Sequence, residues 1–353
     1  MQRAPRAFLN EDRALALAAQ NAGEGRDTLE AVATLKRLTD ADMAEVNAEI
    51  LRRMSSPVEM IPTLAGHLIN SGGKRLRPML TLAAARLCGY EGQEHVKLAA
   101  AVEFIHTATL LHDDVVDESA LRRGDKTANT IWGNQASVLV GDFLFSRAFE
   151  LMVAAGDLKI LGILSAASSV IAEGEVLQLT TQNNLSSTRE DYLAVIEAKT
   201  AALFAAAAEV GAVVAARPET VQEALKNYGR NLGIAYQLVD DALDYSGREA
   251  ALGKTVGDDF REGKMTLPVL TAYARATSEE KTFWERTLGQ GVQHEGDFDR
   301  ACKIIDREGL IAETFETARR YAANAKRDLE TAPSNPWREA LSALPDFAVS
   351  RTY

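Results

Sequence analysis

The 353-residue sequence is poor in cysteine and proline, with two of the first, Cys88 and Cys302, and nine of the second. Two distant thiols cannot staple a chain of this length, so the fold must rest on an apolar core, and a reducing, cytoplasmic setting is expected. Scarce proline leaves room for long unbroken helices. A basic excess is missing too: 39 Lys+Arg stand against 50 Asp+Glu, a net charge of −11. Nucleic acid is gripped by clustered Lys and Arg and is therefore not an expected partner. The most apolar stretch, Thr200 to Ala216, is mostly alanine and carries Glu209, which marks a buried core helix and not a membrane span. The opening MQRAPRAFLNEDR reaches Glu11 and Asp12 before any apolar h-region, so no signal peptide is expected.

What is present is helical pattern. Length alone would suggest about two domains. No Pro/Ser-rich linker, charge block or repeat divides the chain, so a polar, flexible extension over 1–27 and one domain over 28–353 are expected. From Thr28 onward Ala and Leu recur at three- and four-residue spacing. Helices are expected at 98–116, 160–182, 191–215 and 221–245, with a break at Ala216-Arg217-Pro218. β-branched alternation is missing. The expected class is all-α: a large multi-helix bundle around a central cavity, its most evenly apolar helices at the centre.

Two segments read D-D-x-x-D: Asp113, Asp114 and Asp117, then Asp240, Asp241 and Asp244. On a helix the first and last of each trio lie on one face a turn apart. Both trios end strongly apolar helices, where unpaired carboxylates are costly, so something positive should sit between them. Hard carboxylate oxygens suit Mg²⁺, which completes its shell with water and substrate phosphate.

Basic groups accompany them: Gly72-Gly73-Lys74-Arg75-Leu76-Arg77-Pro78, Arg122-Arg123 and Lys199-Thr200. In the first, glycines allow close backbone approach and Pro78 suits the first turn of a helix, a good place for an anion. Gly253-Lys254-Thr255 resembles a nucleotide loop, but five residues instead of four separate Gly247 from Gly253 and no strand precedes it, so Lys254 is another candidate phosphate ligand. Glu103-x-x-His106 has the spacing of di-iron bundles but lacks a second such pair. His106 instead lies seven residues before Asp113, near the same face, where it could donate to a phosphate oxygen.

With every motif in order over about Thr28 to Lys264, the chain resembles the all-trans polyprenyl diphosphate synthases of the trans-prenyltransferase family. That resemblance implies a Mg²⁺-dependent enzyme with three ions per site, two on Asp113 and Asp117 and a third on Asp240 with Asp244 nearby. It implies that Arg122, Lys199, Lys254 and Lys264 grip the allylic diphosphate. Lys74, Arg77, His106 and Arg123 would hold isopentenyl diphosphate, and Thr200 and Gln237 would lie beside the reacting carbons. A homodimer is implied as well, with peripheral membrane contact when product is released.

In this family the residues before the first aspartates shape the product tunnel. Here they are Ala108 and Thr109, about 6 to 7.5 Å from Asp113 along the helix. Both are small, so a long product of about eight to ten isoprene units, a quinone side chain, is expected. Phe104 is the first large residue below them. The alternatives are a shorter-chain farnesyl or geranylgeranyl synthase, a terpene cyclase, or a non-catalytic subunit of a heteromeric prenyltransferase; intact aspartate trios argue against the last.

Overall fold

The computed structural model describes residues 32–70, 73–122, 124–246 and 256–350. The expected extension over 1–27, Arg123 and the Gly253-Lys254-Thr255 segment lie outside the described residues. The chain folds as a helical bundle. Helix α1 (32–53) is followed by α2 (Met60–Asn70), α3 (Leu76–Leu87) and α4 (Glu94–Val116). A two-stranded antiparallel ribbon, β1 (Leu121–Arg122) and β2 (Asp125–Lys126), is the one sheet among the described residues. Then come α5 (Ala128–Trp132), α6 (Asn134–Ala154), α7 (Leu158–Thr181), α8 (Arg189–Ile196), α9 (Ala202–Val214) and α10 (Glu219–Asp244). The rest comprises α11 (Asp258–Arg261), α12 (Leu267–Arg275), α13 (Ser278–Trp284), α14 (Asp297–Arg307), α15 (Leu310–Asp328) and α16 (Pro336–Ser350).

Two apolar clusters meet along α10. Leu225, Tyr228 and Leu232 face a cluster containing α3, α4, α6 and α9, while Ile234, Leu238, Val239 and Ala242 face one built with α12 to α15. Each fully buried Leu or Ile contributes about 1.5–3 kcal/mol, and this sum holds the bundle together. Polar ties set the register: the Tyr228 hydroxyl donates to the Leu341 carbonyl at 2.8 Å, and Asn231 donates to Asp328 at 2.8 Å.

Glycines let α10 approach its neighbours closely. A Cβ on Gly233 would stand 2.6 Å from the Ala201 Cα, and one on Gly229 would stand 2.3 Å from the Phe204 carbonyl oxygen. Such distances exclude any side chain, so the backbones touch and Gln237, one turn beyond Gly233, is brought against Thr200.

Two expectations need correction. The helix expected over 191–215 is interrupted: α8 passes into a π-helical turn, Glu197–Ala201, before α9 begins. No Gly or Pro marks the turn; tertiary contacts hold it, including the Arg230 guanidinium on the Glu197 carboxylate through two 2.6 Å bonds. Apolarity on all sides also does not place a helix at the centre. Helix α7 is apolar and long enough to cross a membrane by length and composition, yet only 28% of its most apolar window is buried.

Candidate active site

Both aspartate trios sit at the C-terminal ends of their helices, α4 and α10. The helix dipole already concentrates negative partial charge there, so three carboxylates at each end create a strongly cation-seeking pair of termini. The middle aspartate of each trio turns inward. Asp114 is fully buried and accepts two hydrogen bonds from Arg122, from Nε at 2.9 Å and Nη2 at 2.7 Å. Asp241 is buried and accepts from the Tyr192 hydroxyl at 2.6 Å and from Gln237 Nε2 at 2.7 Å. The outer members, Asp113, Asp117, Asp240 and Asp244, are half-buried.

Burial makes this a reluctant set of anions. The Asp113 carboxyl is pushed up to about 7, chiefly by burial and also by Glu175 and Asp117, against the pull of Lys199 and Arg122. Asp244 is likewise pushed up to about 7 by burial and Asp259, although its oxygens accept the Gly257 and Asp259 backbone N–H groups, both at 3.0 Å. Burial and Asp259 raise Asp241 to about 8, while Tyr192 and Gln237 favour its ionised form.

Two lysines reach into this field. Lys199 Nζ lies 2.6 Å from Glu175 and exerts its charge on Asp113. Glu175 enters on α7 because Gly174 lets that helix touch the π-turn: a Cβ there would sit 2.6 Å from the Ala198 Cβ. Lys264 Nζ lies 3.3 Å from Asp117 and 3.8 Å from Asp259 and also pairs with Glu262, so its proton is held well above the ordinary lysine range despite burial. Through Lys264 the end of α4 is joined to the segment facing the end of α10.

The start of α3 supplies a second cationic group. The Arg77 guanidinium lies 4.4 Å from the Phe204 ring centroid, and its Nη1 is 3.2 Å from His106 Nε2, so the two expected phosphate ligands are brought together. Lys74 Nζ stands 4.9 Å from the Phe347 ring on α16. Arg75, in a left-handed conformation at φ 49°, donates to Glu103 at 2.9 Å, which gives that carboxylate an ion-pairing partner.

Thr200 occupies the π-turn, a distortion that frequently marks functional positions. Its hydroxyl donates to Gln237 Oε1 at 2.8 Å. Ala108 is fully buried in the apolar cluster, with Phe104 one turn below, while the half-buried Thr109 donates to the His106 carbonyl at 2.8 Å. Arg123 and Lys254 lie outside the described residues.

Sequence reasoning did not single out Glu175, Tyr192, Asp259 or the inward roles of Asp114 and Asp241. Glu175 had a usable signal, a charge next to glycine inside an apolar helix. Tyr192 and Asp259 had none, because their partners come from remote segments. The donors present are hard oxygens suited to a divalent cation, and among the described residues no three His, Cys, Asp or Glu side chains form a closed metal cage. An ion here would need further oxygen ligands from water or a bound anion.

Comparison with known proteins decides the family. The polyprenyl synthetase family profile matches residues 58–305. The chain belongs to the polyprenyl synthetase family. Its members are prenyltransferases, and this chain is one. It is 47% identical over 317 residues to octaprenyl diphosphate synthase of Escherichia coli, covering 90% of this chain and 98% of that one. It superposes with a TM-score of 0.88 on a polyprenyl synthase from Caulobacter crescentus crystallised with calcium and isoprenyl diphosphate, at 58% identity over 90% of this chain and 97% of that one. A decaprenyl diphosphate synthase from Rhodobacter capsulatus gives the same TM-score, 0.88, at 52% identity over 91% and 99% of the two chains.

Proposed function

We propose that this long-chain all-trans prenyltransferase condenses isopentenyl diphosphate with an allylic diphosphate and stops at about eight to ten isoprene units, the length of a quinone side chain. The observation that carries this reading is the pair of carboxylate clusters at the ends of α4 and α10, their outer members half-buried, with Lys264 between Asp117 and Asp259 and with Arg122 and Lys199 alongside.

Asp113 and Asp117 would hold two Mg²⁺ ions, and Asp240 with Asp244 would hold a third. Burial that raises Asp113 and Asp244 as lone carboxyls also strengthens their attraction for a divalent cation. When bound, Mg²⁺ neutralises the diphosphate and so favours ionisation of the allylic C–O bond. Arg122, Lys199, Lys254 and Lys264 grip that diphosphate. Arg77 and His106, with Lys74 and Arg123, hold isopentenyl diphosphate so that its double bond faces the allylic carbon. The oxygens of Thr200 and Gln237 stabilise the transient cation, and the departing diphosphate accepts the proton whose loss restores the alkene. Ala108 and Thr109 leave the path open for the growing chain.

The reading extends to a cytoplasmic homodimer. Leu139 and Val153 on α6 and Val176 on α7 are 67%, 64% and 62% exposed, apolar side chains that a second copy would cover, and peripheral membrane contact serves product release. Incubating the protein with labelled isopentenyl diphosphate, Mg²⁺ and allylic primers of increasing length, then sizing the products, tests the function. Products of eight to ten units are expected; failure to consume isopentenyl diphosphate with any primer refutes it.

A further inference from the structure

Behind Thr200 and Gln237 runs a chain of three hydrogen bonds from three separate elements. Thr200 Oγ1 in the π-turn donates to Gln237 Oε1 at 2.8 Å, Gln237 Nε2 on α10 donates to Asp241 Oδ1 at 2.7 Å, and the Tyr192 hydroxyl on α8 donates to Asp241 Oδ2 at 2.6 Å. The inner end is buried, with Tyr192 5% and Asp241 4% exposed, whereas Thr200 and Gln237 are half-buried.

The direction of these bonds matters more than their number. A glutamine amide can turn either end toward a neighbour, and a hydroxyl can donate or accept. When ionised, the state its two donors favour, Asp241 can only accept, so the amide NH₂ of Gln237 is committed inward and Oε1 faces Thr200. The Thr200 hydrogen is in turn committed to Oε1. Every hydrogen in the relay points toward Asp241, and the lone pairs of the Thr200 oxygen remain at the half-buried end. A reversed amide would drive the Thr200 hydroxyl to accept and would turn its hydrogen outward, against a developing positive charge.

We propose that Tyr192 and Asp241 are positioning residues that fix the polarity of the Gln237–Thr200 pair, so that oxygen lone pairs and not hydrogens face the allylic cation. This rests on the prenyl-transfer reading above. Tyr192 holds Asp241 Oδ2 so that Oδ1 stays aimed at Gln237; without it the carboxyl can rotate and the amide loses its fixed direction. A preset dipole needs no reorganisation as the cation forms, which is where such groups gain their effect.

The test compares two unreactive diphosphates, one charged and one neutral in the allylic group: an ammonium analogue of the allylic cation and a thio-linked allylic diphosphate. Both are titrated with Mg²⁺ into the full-length wild type, Tyr192→Phe, Thr200→Val and the double variant. Y192F is expected to weaken the ammonium analogue about 5- to 10-fold, to leave the thio-linked analogue within about two-fold, and to lower kcat with KM unchanged. Because Tyr192 acts through Gln237 and Thr200 together, Y192F should cost less in the T200V background than it does in the wild type. Equal weakening of both analogues, or multiplicative effects in the double variant, overturns the relay. Circular dichroism melts check folding, and Asp241→Asn interrupts the same chain if Y192F is unfolded, with the same cycle read from it. A wild type that consumes no isopentenyl diphosphate refutes the functional reading; a competent wild type without the selective loss refutes only the relay.

Discussion

Replacing Asp113 with asparagine should make the metal-free protein more stable while abolishing its activity. The carboxyl stands at about 7 in the fold against 3.8 for the free side chain, mainly through burial. Between those values the folded protein holds a proton that the unfolded chain has released, so wild-type stability falls as pH rises through that window. The full shift corresponds to about 4 kcal/mol at pH 8, about 2 at pH 5 and under about 1 at pH 4. Asp113 is only half-buried, and solvent screening reduces the expected gain to about 1–3 kcal/mol at pH 8. Asparagine removes this cost without stranding a charge, because Lys199 keeps its 2.6 Å pair with Glu175. For a chain of this length the gain is about 1 to 4 °C in Tm. Thermal melts of both proteins in EDTA at pH 5 and pH 8 measure it, and kcat with Mg²⁺ should fall at least about 10³-fold. An Asp113→Asn variant that melts below the wild type at pH 8, or whose advantage is the same at both pH values, would refute the argument.

Three further outcomes are expected. Ala108→Phe fills the level one turn above Phe104 and should shorten the product; an unchanged length distribution would show that the chain grows along another path. Asp114→Asn breaks the buried pair with Arg122, which can partly reach water, and should cost about 2–3 kcal/mol in denaturant unfolding and lower kcat. Leu139→Asp combined with Val153→Asp charges the exposed apolar face of α6 and should yield monomers by light scattering; an intact dimer would place the interface elsewhere.

The primary structure alone carries the helical class, because the three- and four-residue spacing of Leu and Ala holds from α3 to α10 and few prolines interrupt it. It also carries the two carboxylate-bearing helices, since an i, i+4 spacing suffices to put Asp113 with Asp117, and Asp240 with Asp244, on shared faces. Local spacing cannot show what approaches from another segment. That the middle aspartates turn inward, Asp114 onto Arg122 of β1 and Asp241 onto Tyr192 of α8, depends on which segment packs behind each trio. The π-turn bearing Lys199 and Thr200 has no sequence signature, because the glycine face of α10 and the Arg230–Glu197 pair hold it in place. Helix α7 shows the converse: its apolar composition is plain in the sequence, but only packing decides that little of it is buried. The sequence therefore determined which residues could do the chemistry, because periodicity is a property of one helix. Tertiary structure decided how they are aimed, because burial, ion pairing and hydrogen-bond direction are properties of helix pairs.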